Sequence, residues 1–220
     1  MFLSSEDTFF EEQIIEYKYY SGFAISQKQK SIRSLHDAIK SLYPDKSVLE
    51  ISTKSEKEEG VKLSAFNLPF YHEELRENRH IENVFQASKV FENGGPFKDL
   101  LNVAPGEAKK DTRLVESGSL TGFELYRKKW PLVPKTMFYD WIYITALKQN
   151  MELAEKLLDY DIFTDIEFNH KKSLNCQARA AAIFVSLVRK HKLEELTESP
   201  EIFKSIYGTK DAEQKQMSFL

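Results

Sequence analysis

The segment Ser173–His191 constrains this chain more than any other. It is the longest stretch with helical periodicity, and Ala178, Ala180, Ala181 and Ala182 give it a face of small side chains that lets a neighbouring backbone approach closely. A further helix is expected over Pro134–Leu147, strongly apolar on one side. Helices of this kind need a core to bury against. With 220 residues, 41% of them hydrophobic and 13% aromatic, the chain is long enough to build one.

The other periodicities are shorter. Ser31–Tyr43 reads as a helix with Ile32, Leu35, Ile39 and Leu42 on one stripe and Pro44 ending it. Val48–Ser52 reads as a strand leading into Thr53 and Lys54. Ser55–Gly60 reads as a charged turn and Val61–Leu68 as a second strand, which together suggest a β-hairpin. His80–Phe91 has a helical pattern, stopped by Asn93-Gly94-Gly95-Pro96. Gly106–Arg113 is expected to be a basic helix facing a polyanion, Leu153–Tyr160 a further helix, and the chain past Thr197 a polar tail. The expected fold is α+β and predominantly helical, compact, with a few short strands. Its expected divisions are an N-terminal extension at 1–20, a main domain at 21–195 and a C-terminal tail at 196–220.

A formal net charge of −3 gives no bulk electrostatic case for a nucleic-acid partner, so such contact requires a local basic patch. The single cysteine, Cys176, excludes an internal disulfide and points to a reducing compartment, with the cytoplasm as the default. No apolar run approaches the roughly 20 residues that span a bilayer. Zinc-ligand spacings, HExxH and P-loop patterns are missing, and neither metal nor cofactor is expected.

Four places can carry chemistry. On a helix over Ile81–Phe91, positions 82, 85/86 and 89 share one face, which lines up a carboxylate, an amide and an amine beside aromatic rings. Glycosidic cleavage passes through an oxocarbenium-like sugar that Glu82 can stabilise, and an amine such as Lys89 can attack the anomeric carbon. The plain alternative is an exposed Glu–Lys face on a surface helix. Lys54, at the end of a strand, is the second place, unless it is a solvated surface lysine. The third is Trp130-Pro131 with Lys135 and Phe138-Tyr139-Asp140-Trp141, whose rings can stack on a base or can belong to the core. The fourth is Phe163–Asn169 with Ser173–Arg179, where Ser173 or Asn175 can cap a helix whose amides suit a phosphate.

These residues bring a family into view. Ile81–Phe91, IENVFQASKVF, resembles the vEhyfQaxKf signature of the NADAR superfamily, and Leu63–Asn67, LSAFN, resembles its upstream lSNF segment. The chain is most similar to the branch that acts as antitoxin to DarT-type DNA ADP-ribosyltransferases. That closer match is carried by SQKQKSI at 26–32, ISTKS at 51–55, WPLVPKTMFYDW at 130–141, FTDIEFN at 163–169 and SLNCQARAAA at 173–182, about residues 20–190 in all.

The resemblance implies a NADAR-like domain and an N-glycosidase that hydrolyses ADP-ribose from ADP-ribosylated guanine in DNA, most naturally single-stranded. ADP-ribose would be the product and a DarT-type toxin the functional partner. It implies catalytic roles for Glu82, for Lys54 or Lys89 as Schiff-base lysine, and for Asp165. Ligand contacts are implied for Ser64, Phe66, Asn67, Phe85, Gln86, Trp130, Tyr139 and Asn175. This sequence departs from the family where Asn83 replaces a histidine after the helix glutamate, and where the family's Trp-Gly and Gly-x-Asn-x-Leu-Gly ending survives only as Asp165 and Asn175. Two other readings stand beside it: a module that binds ADP-ribose or a modified base, or sequesters a toxin, without turnover; and hydrolysis of a small N-glycoside.

Overall fold

The computed structural model describes residues 1–134, 136–168 and 176–207. In chain order the elements are β1 Phe2–Ser5, β2 Phe9–Glu12, α1 Ile25–Leu42, β3 Val48–Glu50, α2 Glu58–Lys62, β4 Pro69–His72, β5 Glu77–His80, α3 Ile81–Ala87 and β6 Lys89–Phe91. They continue with α4 Pro105–Ala108, α5 Arg113–Glu116, β7 Leu120–Leu125, β8 Lys128–Pro131, α6 Met137–Gln149, α7 Met151–Ala154, β9 Ile162–Thr164, α8 Gln177–Arg189, α9 Leu193–Thr197 and α10 Pro200–Phe203. The fold is α+β, with small sheets set around helices.

The core is built on α6 and α8, which pack on each other. Ala178, Ala180, Ala181 and Ala182 are all fully buried, so the small-residue face does bring the helices together. The apolar residues of α6 are buried on nearly every side, from Met137 through Leu147, as expected of a helix inside a core. Against α8 lies a four-stranded sheet in the order β2-β1-β9-β3. In it β3 and β9 run parallel, with Leu49 opposite Phe163 and Glu50 opposite Thr164. A three-stranded antiparallel sheet, β6-β7-β8, and the hairpin β4-β5 complete the fold.

Several expectations change. Residues 2–12 are two strands of the main sheet, with Phe2 in the core. Past Thr197, Phe203 and Ile206 are buried in the same core, so residues 200–207 are packed structure and not a polar tail. Val61–Leu68 is not a strand: α2 ends at Lys62 and a turn follows, in which Asn67 and Leu68 both donate their amides to the Ser64 carbonyl. Leu63, Ala65 and Leu68 are buried by that turn, so an apolar run that mimics a strand serves a helix end instead. Gly60 permits the arrangement, because a Cβ there would lie 2.1 Å from the Glu50 carbonyl oxygen.

The helix expected over His80–Phe91 stops at Ala87, and Lys89–Phe91 pairs with β7, Lys89 opposite Phe123. The basic helix expected over Gly106–Arg113 is two short turns, α4 and α5. Arg113 in the second is bonded to Asp99 and Asp111 and lies over Phe97, so it is not available to a polyanion. Leu153–Tyr160 is α7 followed by a 3₁₀ turn at Glu155–Asp159.

Candidate functional site

The parallel pair β3-β9 ends where Ile51 donates its amide to the Thr164 carbonyl at 2.8 Å, and the chain beyond each strand carries one of the expected residues: Lys54 after β3, Asp165 after β9. Groups at the carboxyl ends of parallel strands are well placed to meet a ligand. Glu50, at the end of β3, shapes this edge. Its carboxylate accepts the Ile166 amide at 2.8 Å and the Thr164 hydroxyl at 2.6 Å. His36 Nε2 lies 3.0 Å from the same hydroxyl, and burial lowers its imidazole to about 4. Asp165 accepts the Glu167 amide at 3.0 Å. Burial, and then the neighbouring Glu50 carboxyl, push Asp165 well above the usual carboxylate range.

Gln177 opens α8 and ties this edge to the rest. Its amide donates to the Ile51 carbonyl at 2.6 Å and accepts the Ala65 amide at 2.7 Å. Ala65 in turn accepts the Glu82 amide at 3.1 Å. One side chain thereby joins the end of β3, the Leu63–Leu68 turn and the start of α3.

All seven residues of α3 are buried. The exposed Glu–Lys face is therefore excluded: Glu82 is only 6% exposed and accepts the Gln86 amide at 2.8 Å. Asn83 points elsewhere, donating to the Leu100 and Val103 carbonyls, which explains an amide at the position where the family pattern has histidine. Phe85 meets Phe123, Phe138 and Tyr139, the last edge-on at 5.2 Å.

Lys89 leaves the helix but not the neighbourhood. Its Nζ lies 4.8 Å from the Phe85 ring centroid. Burial lowers its ammonium to about 8, with the Glu82 charge opposing the shift and the Lys109 charge adding to it. Tyr139, on α6, is 6% exposed, and burial followed by the charge of Glu82 holds its phenol well above the usual value, with Asp165 contributing. The fields of the two carboxyl groups meet at this hydroxyl.

Two buried polar atoms here, Ser64 Oγ and Gln86 Oε1, have no hydrogen-bond partner among the described residues. Buried polar atoms are nearly always paired, so orphans beside a buried carboxylate suit a bound polar ligand. Phe66 is half-buried, with the exposed Lys109 ammonium 5.4 Å from its ring.

Glu82, Gln86, Phe85, Lys89, Tyr139, Ser64 and Asp165 thus form one neighbourhood. Lys54 is partly buried on its strand-end loop and bonds Thr53 Oγ1 at 3.1 Å. Asn67 is exposed and closes its own turn on the Val61 carbonyl. Trp130 is a correction: it lies on β8, not in a loop, is 3% exposed, and packs 4.6 Å from Trp141 and 5.4 Å from Phe138, which makes it core and removes its face from a base. Asn175, with Lys135, Asn169 and Ser173, lies outside the described residues. Glu50, Gln177 and Lys109 were not singled out as candidates. A carboxylate inside the apolar run Val48–Ile51 was the one signal for Glu50.

The family model described as DarT1-associated NADAR antitoxin matches residues 1–217. The chain belongs to this family. The match covers the strands at the N-terminus and the packed turns after Thr197 as well as the NADAR signature around Glu82. No curated protein matches the chain. Among the described residues, no helix is long and apolar enough to cross a membrane, and no group of three or more His, Cys, Asp or Glu side chains is placed to hold a metal.

Proposed function

We propose that this protein is an N-glycosidase that hydrolyses the bond between ADP-ribose and a guanine base in DNA, and so acts as antitoxin to a DarT-type toxin. The observation that carries the reading is the buried Glu82 carboxylate beside Lys89, an amine lowered to about 8. Departure of the base leaves positive charge on the ribose, and a carboxylate in a water-poor site stabilises that charge more strongly than it would in solvent.

Lys89 supplies the nucleophile. At pH 7 the neutral fraction of this amine is roughly 300-fold larger than for an ordinary lysine. The amine nitrogen bonds to the anomeric carbon while the bond to guanine breaks. The base leaves with the electron pair and takes a proton. The nitrogen loses its proton as the sugar ring opens to a Schiff base, and water adds to the imine carbon to release ADP-ribose and restore the amine. Ser64 Oγ and Gln86 Oε1 take the ribose hydroxyls, and Asp165, its carboxyl pushed up by burial, hydrogen-bonds the ribose. Phe66 and Tyr139 bound the base, and Lys109 meets phosphate.

The test is incubation with single-stranded DNA ADP-ribosylated on guanine. Free ADP-ribose and unmodified DNA, formed over many turnovers, are the expected products. Stoichiometric retention without release would replace this reading with a binding module, and release from a small N-glycoside alone would move the substrate class.

A further inference from the structure

A cavity of ≈ 270 Å³ opens beside the junction of α3 and β6, lined by none of Glu82, Lys89 or Tyr139. Ala87, Leu101 and Leu125 give it apolar walls, and His72, Ser88 and Tyr126 bring polar atoms to it. His72 ends β4, is 4% exposed, and its Nδ1 has no partner among the described residues. Burial lowers its imidazole, so the ring is neutral near pH 7 and can give or take one hydrogen bond. Tyr126 stands edge-on to it, ring centroids 4.9 Å apart.

Tyr126 is held there at a cost. It and Arg127 form the two-residue turn between β7 and β8, and both have left-handed φ, 53° and 61°, in a turn that favours Asn-Gly. Such strain persists where surrounding contacts over-determine it, and it clusters at ligand sites. Here the contacts are the His72 ring and the Glu73 amide, which donates to the Tyr126 hydroxyl at 2.9 Å. At the cavity mouth Lys98 lies 3.7 Å from Glu74 and Asp99 is bonded to Arg113, while Glu124 adds a further carboxylate to the lining. Apolar walls, one neutral hydrogen-bonding edge and no uncommitted cation suit a flat uncharged heterocycle and not a phosphate.

We infer that this cavity is a second nucleobase site, which seats the base next to the modified guanine on the same strand. The inference rests on the glycosidase reading for its use. Ser88 lines the cavity and Lys89, the next residue, stands in the candidate active site, with consecutive Cα atoms about 3.8 Å apart. A strand whose modified guanine fills the candidate active site therefore passes close to this cavity.

The experiment has two arms. In the first, adenosine, guanosine, cytidine and thymidine are each titrated into the full chain while the His72 ring nitrogens are followed by NMR. A saturable shift is expected with at least one of them, and it is lost in Tyr126→Gly, where glycine suits the left-handed turn and keeps the hairpin folded; His72→Phe, which has no ring nitrogen to follow, enters only the second arm. In the second, both variants are assayed on an ADP-ribosylated oligonucleotide and on ADP-ribosylated guanosine. The oligonucleotide KM is expected to rise about ten-fold, the scale of one lost stacking contact, with guanosine cleavage unchanged. No saturable shift at His72, or equal effects on both substrates, overturns the inference. If the wild type cleaves neither substrate, the glycosidase reading falls and the nucleoside titration alone decides the cavity.

Discussion

Gln86 donates its side-chain amide to the Glu82 carboxylate at 2.8 Å, one turn apart on a helix that is buried on every side. The bond orients the carboxylate, and Gln86 Oε1 and Ser64 Oγ stay without a hydrogen-bond partner among the described residues.

Replacing Glu82 with Gln keeps the shape and removes the charge. Turnover on ADP-ribosylated DNA is expected to fall by about 10²–10⁴-fold, the range for loss of an acid–base or charge-stabilising group, with the melting temperature nearly unchanged. Steady-state kinetics with parallel thermal melts check this. Wild-type turnover in the variant would remove Glu82 from the chemistry.

The two lysines are separable. Borohydride added during turnover is expected to trap a covalent adduct in the wild type and in Lys54→Ala, but none in Lys89→Ala. Mass spectrometry of the reduced protein reads it out, and an adduct on Lys54 would reassign the nucleophile. Because Lys89 titrates near 8, single-turnover rates are expected to rise with pH and level off above about 8.

The same amine makes a stability prediction. Its folded value, about 8, lies below the value in an unfolded chain, so between pH 8 and about 10.5 the unfolded state binds more protons and stability rises with pH. Below pH 8 the charged amine destabilises the fold in full. Lys89→Met is therefore expected to stabilise the protein by about 2–3 kcal/mol at pH 7 and by much less at pH 10.5, as measured by urea unfolding.

The C-terminal turns are expected to be essential for folding. Arg179 grips Asp140 at 3.1 and 3.0 Å, and Tyr207 donates its hydroxyl to the same carboxylate at 2.6 Å. Burial nevertheless raises the Asp140 carboxyl. Asp140→Asn is expected to cost about 3–5 kcal/mol, as for other broken buried pairs. Ending the chain at Glu198 also removes Phe203 from the core and is expected to cost at least about 3 kcal/mol by denaturant titration.

Much of the candidate site was legible in the residues. Glu82 and Gln86 lie at i and i+4, so any helix brings them together, and IENVFQASKVF named the family before any fold was known. Tyr139 and Asp165 came from the same resemblance, and only the closed fold brings the Asp165 carboxyl within electrostatic reach of the Tyr139 hydroxyl. Trp130 was misread because a Trp-Pro pair looks like a loop, and only its pairing with Phe123 on the neighbouring strand reveals β8.

The sequence alone determined what short-range period encodes: the apolar helix α6, the alanine face of α8, the stripe of α1, and a carboxylate and an amide on one face of α3. Those patterns are local, set by residues three or four apart. Tertiary structure decided the rest. Lys89 stands in a strand because its backbone pairs with Phe123, thirty-four positions away, and its lowered amine exists only once the core closes over it. Strand pairing and burial depend on distant residues, so no local period can announce them.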